Sequence, residues 1–224
     1  MIPFATTEHL ILRPWRPSDA ASFFSLYNDQ RVAHGIVLGY PVPWPEARWE
    51  SILAALNRML LLLVLEIKPE FMYMRRSDPE EIEDERDSEG EKREKRKIVG
   101  FVSLVLPEPK NRDTEFSIAL AFAWWSLGLG TEVLTWLMRY NFDKLGMHRL
   151  TLHAFGDNER AVELYKHLGF VLEGTMREAV LHDNEWIDLV VMGILDREWE
   201  AVRRRPLDLA AFDDVIVQSV MRLI

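Results

Sequence analysis

The thirteen residues NERAVELYKHLGF, 158 to 170, leave the surrounding chain few options. Asn158 offers a side-chain cap, and Ala161, Leu164, Tyr165 and Leu168 recur at i, i+3, i+4 and i+7. Gly169 then stands where a helix ends on a left-handed residue. A one-sided helix must lay its apolar stripe on something, and the flanking segments read as a sheet. HRLTLHAF precedes it, while FVLEGTMREAV and EWIDLVVMGIL follow on either side of the turn HDN. Upstream, IVGFVSLVLPEP and TEFSIALAF read as neighbouring strands across the polar loop KNRD. Val133, Leu134, Leu137 and Met138 then mark a second helix ending near Gly146. Strands and helices interleaved in this way, and closed by a hairpin, predict an α/β domain on a mixed sheet.

The N-terminal part is less regular. Leu10 to Leu12 read as a short strand, Pro14 and Pro17 as a turn, and Ser18 and Asp19 as a helix start. After the proline-rich loop YPVPWPEARW, Pro45 and Glu46 open a helix running to about Met59. The run LLLLVLEIKP fits a strand buried on both faces, and its pattern leaves a continued helix open. Residues 75–97 differ sharply: 18 of 23 are charged and one is apolar, so the segment cannot offset its ordering entropy and reads as a solvated excursion between strands. We therefore expect one domain over residues 1–200 with an insertion at 75–97. The extension 201–224 is apolar enough to pack on the domain or on another subunit, which makes a homodimer one expectation.

Composition narrows the function classes. The chain has no cysteine, so disulfides, thiolate metal sites and thiol nucleophiles are excluded. His148, His153, His167 and His182 lack H-E-x-x-H or similar ligand spacing, and no metal is expected. The longest apolar run, Met59 to Leu65, falls short of the ~20 residues of a membrane helix, and MIPFATTEHLILRPW lacks a basic flank before an apolar core; a cytoplasmic protein is the expectation. A net charge of −9 argues against nucleic acid as partner and makes a cationic substrate easier to accommodate.

One stretch invites a ligand reading. In AWWSLGLGTEVL, a Gly128-Leu129-Gly130 turn runs into a helix start at Thr131 and Glu132. Unpaired N–H groups and roughly half a positive charge make a helix N-terminus an anion site. Val133 replaces the third small residue of the dinucleotide fingerprint, and the Gly-Lys-Ser/Thr of a P-loop is absent. The residues alone leave a phosphate cradle and a packed turn both open.

Taken together, TEHLILRPWRPSDA, KIVGFVSL, TEFSIAL followed by GLGTEVL, and DNERAVELYKHLGFVLEG resemble, in that order, the motifs of the GNAT superfamily of N-acetyltransferases. The ribosomal-protein N-terminal and polyamine acetyltransferase branches are the most similar. The resemblance covers most of residues 6–199 and implies a mostly antiparallel sheet flanked by helices, its fourth and fifth strands splayed to admit acetyl-CoA. Direct attack by an amine acceptor, a small molecule or a protein N-terminus, is implied. Tyr165 falls at the position of the general acid and Glu115 at that of a carboxylate facing the amine. Ile118, Ala119 and Leu120 are expected to turn backbone groups to the pantetheine, with Asn158 nearby. Trp125, Ser126, Leu127, Gly128, Leu129, Gly130 and Thr131 occupy the pyrophosphate turn, Trp125 to Leu127 departing from the family's usual Arg or Gln, Gly and Lys. Trp15, Trp44 and Trp49 read as core or as acceptor-cleft residues. A catalytically degenerate relative of the same fold, an acyl-CoA-binding or interaction protein, is the alternative.

Overall fold

Leu61–Ile67, the run whose pattern allowed strand or helix, is a strand (β3), and the reason lies in what covers it. Leu63, Leu65 and Ile67 are buried in one apolar cluster while Val64 is buried in another, so alternate side chains are covered on both faces, as only a strand permits. The computed structural model describes residues 2–37, 43, 45, 49–56, 58–76 and 98–204. Residues 77–97 and 205–224, Trp44 and the side chain of Trp49 lie outside them, as do the expectations placed there.

The other strands are β1 (Ala5–Thr6), β2 (Leu10–Pro14), β4 (Ile98–Val105), β5 (Asp113–Leu120), β6 (Arg149–Phe155), β7 (Val171–His182) and β8 (Glu185–Leu195). They form one eight-stranded sheet in the order β1-β2-β3-β4-β5-β6-β8-β7. Every pairing is antiparallel except β5 with β6, so the expected mixed, mostly antiparallel sheet is present. The two-residue β1 was not legible in the sequence, and it shifts the count: the fourth and fifth strands of the resemblance are β5 and β6.

Helices cover both faces. On one side α4 (Leu129–Arg139), α5 (Glu159–His167) and α6 (Asp196–Val202) share the larger core with Phe116, Ile118, Leu120, Leu150 and Leu152. On the other, α1 (Ala20–Asn28), α2 (Gln30–Ile36) and α3 (Trp49–Leu56) bury Phe23, Tyr27, Ile36 and Ile52 against Val64, Phe101 and Ala119. Each fully buried Leu, Ile or Phe removes apolar surface worth about 1.5–3 kcal/mol. Trp15 packs at the edge of this second cluster, which favours its core reading. The break between α1 and α2 falls at Asp29, whose extended backbone stops one helix and whose carboxylate accepts the Arg31 N–H at 3.1 Å to start the next.

The closing hairpin turns through Asp183 and Asn184, both with positive φ (47° and 66°), the two-residue turn that matches strand twist. Asn158 caps α5 by accepting the Ala161 N–H at 3.1 Å, and Gly169 follows with φ 97°.

Candidate active site

β5 and β6 pair over three positions, Asp113 with Arg149, Thr114 with Leu150 and Glu115 with Thr151, and no further. Polar contacts lock that short seam: Thr151 Oγ1 donates to Asp113 at 2.9 Å, and Thr114 Oγ1 donates to the buried Asn141 at 2.6 Å. Beyond Glu115 the two strands continue to Leu120 and Phe155 without pairing, which is the expected splay. The Ala121 N–H donates to Val99 at 2.8 Å, which fixes the antiparallel alternation along β4 and β5. The main-chain groups of Ile118 and Leu120 therefore turn toward the gap. Ala119 departs from expectation, because as the partner of Phe101 it directs its main chain to β4, where a side chain on Gly100 would meet its carbonyl at 2.0 Å.

The glycine turn sits at the end of β5. Ser126 and Gly128 have φ of 59° and 72°, and α4 begins at Leu129, two residues before the Thr131 start expected. No side chain caps α4, so the first-turn N–H groups of Leu129, Gly130 and Thr131 are not claimed by a capping residue. Trp125 turns back rather than forward over the helix: its indole N–H donates to the Leu120 carbonyl at 2.7 Å, and its ring meets Phe122 edge-on at 5.2 Å. Leu127 packs on the larger core. Trp125 and Leu127, two of the altered residues, are thus both committed to packing. Glu132, the one carboxylate in the first turn, is drawn aside by His9, which contacts it through its backbone N–H (2.9 Å) and its ring Nδ1 (2.7 Å). The Arg76 N–H donates to the Ala123 carbonyl at 2.9 Å, beside this turn.

Two titratable side chains flank the fork from opposite faces. Tyr165 on α5 is fully buried, edge-on to Phe116 of β5 (6.1 Å) and to Phe170 (6.0 Å). Burial pushes its phenol well above the ordinary tyrosine range, so the hydroxyl stays protonated at neutral pH. Glu115 lies on the other face, at the last paired position, and its carboxylate bonds to Nδ1 of His153 at 2.9 Å. Both side chains are largely covered, at 14% and 8% exposure. A group threaded through the gap would pass the Glu115–His153 pair on one face of the sheet, with Tyr165 buried on the other.

His153 is the site residue that sequence reasoning passed over. Ligand spacing was the wrong criterion, since its partner stands 38 positions away on a neighbouring strand. His148 likewise pairs with Asp196 at 3.1 Å. Among the described residues no three His, Asp or Glu side chains are grouped to hold a metal ion, and no helix is long and apolar enough to cross a membrane.

Comparison with known proteins agrees with this fold. The sequence model of the family described as an acetyltransferase (GNAT) domain matches residues 9–171. A spermidine N(1)-acetyltransferase of Vibrio cholerae is 29% identical over 102 residues, 46% of this chain and 59% of that protein. The chain thus spans about three fifths of the length of that curated relative. An N-acetyltransferase of Bacillus subtilis, YoaA, whose activity is uncharacterised, aligns more fully, 23% identical over 87% of this chain and 98% of that one. Among solved structures, the Vibrio cholerae spermidine N-acetyltransferase in complex with CoA and spermine shares the fold, with a TM-score of 0.64 at 20% identity over 86% of this chain and 98% of that one.

Proposed function

The chain belongs to the GNAT acetyltransferase family, and from that we propose that it transfers an acetyl group from acetyl-CoA to a primary amine. The observation that carries the reading is the fork between β5 and β6, with Glu115 on one face and Tyr165 on the other. Acetyl-CoA supplies an activated thioester open to direct attack, so no covalent nucleophile is needed and a chain without cysteine is no obstacle. The turn from Ser126 to Thr131 offers its backbone N–H groups and the α4 dipole to the pyrophosphate, while Ile118 orients the pantetheine from the edge of the gap. Glu115, held in place by His153, accepts the proton of the incoming ammonium. Tyr165, kept neutral by burial, donates its proton to the departing thiolate.

Three supports favour a small cationic amine over a protein N-terminus: the net charge of −9, the spermidine acetyltransferase relative and the fold shared with that enzyme. Incubation with acetyl-CoA and a panel of amines, following free CoA thiol, tests the reading. Tight acetyl-CoA binding with no thiol released on any amine would replace it with the non-catalytic alternative.

A further inference from the structure

Beyond Glu115 and His153, the face of β6 toward α1 and α2 continues into a second polar cluster. Alternate residues share a strand face, so Phe155 follows His153 on it. The Phe155 ring packs edge-on against His182 at 4.5 Å, and His182 in turn lies 4.1 Å from His34 of α2. His182 is 7% exposed, and its Nδ1 is buried without a hydrogen-bond partner, which is costly unless a ligand or a rearrangement satisfies it. The nearest carboxylate oxygen, on Asp157, stands 4.0 Å from that nitrogen, and Asp183 stands at the same distance from His34 Nε2.

Resting on the reading above, we propose that His182, His34, Asp157 and Asp183 form a subsite for a second ammonium group of the acceptor, so that the preferred substrate is a diamine or polyamine. Two acceptors 4.0 Å apart suit one ammonium nitrogen at about 2.9 Å from each. The His182 imidazole is held below its ordinary pKa, by burial first and by the neighbouring His34 second, so it is neutral and able to accept. Asp157 and Asp183, at 48% and 87% exposure, supply the opposite charge on the solvent side of the cluster, and His182 lies buried behind them. Two residues of strand plus one ring contact put the second ammonium on the order of 7–10 Å from the reacting amine.

Steady-state kinetics on a series from 1,4-diaminobutane to 1,8-diaminooctane, each beside the monoalkylamine of equal length, reads the subsite as a ratio. The wild-type protein is expected to favour the best diamine at least tenfold in kcat/KM. In Asp157→Asn the ratio falls toward one, chiefly through the KM of the diamine, and His182→Gln does the same. Equal kcat/KM for diamine and monoamine, or a ratio unmoved in Asp157→Asn, overturns the subsite. If no amine releases thiol, the transferase reading fails while the subsite is still decided. Titration of 1,4-diaminobutane must then shift the NMR ring signals of His34 and His182 in the wild type and not in Asp157→Asn, and unshifted signals reject it.

Discussion

Glu115 and Tyr165 stand on opposite faces of one sheet, beside the point where the pairing of β5 with β6 stops. Glu115→Gln removes the proton acceptor while keeping shape; a drop in kcat/KM of about 10²-fold or more is expected, the usual worth of a positioned base. An unchanged kcat/KM would take Glu115 out of the chemistry. Tyr165→Phe should lower kcat with little change in acetyl-CoA affinity, because the phenol acts on the leaving group, and equal turnover would remove it from the acid role. His182 makes a prediction about stability. Its folded pKa lies below the ordinary ~6.5, with His34 lowering it further and Asp157 and Asp183 opposing, so the unfolded chain binds the proton more readily. Stability is therefore full above that ordinary value and declines as pH falls through it toward the folded pKa. Denaturant midpoints between pH 8 and 5 should show the decline, flattened in His182→Phe. Tyr165 was singled out because the motif from Asn158 to Gly169 resembles the family's, where it falls at the general-acid position; its place on an apolar stripe alone reads as core. His153 and the His34–His182 contact were not legible, since cross-strand and helix-to-strand neighbours carry no sequence spacing.

α5 could be read almost whole from Asn158 to Gly169, cap, stripe and left-handed end included, whereas α2 could not. Its start rests on the Asp29 side chain and its burial on Val32 and Ile36, too short a stripe to stand out beside Gly35. β7 misleads differently. As the edge strand it exposes Val171, Leu172 and Met176 in spite of their apolarity. Its register slips between Met176 and Val180, around a left-handed Glu178 whose N–H donates to Asp188 at 2.9 Å. Such a bulge twists an edge away from unwanted pairing. The joint between β2 and α1 is held by Arg13, which donates to both oxygens of Asp19 at 2.7 and 2.8 Å and also to Glu66. Asp19→Ala leaves that buried guanidinium with Glu66 as its one carboxylate partner and is expected to cost about 3–5 kcal/mol, read by chemical denaturation. A loss below 1 kcal/mol would mean the pair is structurally idle.

The sheet as a whole is two smaller sheets, β1 to β5 and β6 to β8, joined by three residue pairs and a shared core. A ligand that fills the gap touches both, so its binding energy adds to the stability of the whole. Acetyl-CoA at a hundred times its Kd should contribute about 2.7 kcal/mol, a rise in Tm of roughly 5–10 °C for a chain of this length. No shift at saturating acetyl-CoA would contradict a bridging site. The order in which the strands pair has a consequence for how the chain acquires its structure. β7 and β8 meet at separations of 3 to 22 residues, whereas β3 and β4 meet at 32 to 43, across the charged insertion, and β6 meets β8 at 34 to 46. Local contacts form sooner than distant ones. Pulse-labelled hydrogen exchange during refolding should therefore protect the amides that pair β7 with β8 before those that pair β3 with β4 or β6 with β8, the closing hairpin forming an early cooperative unit.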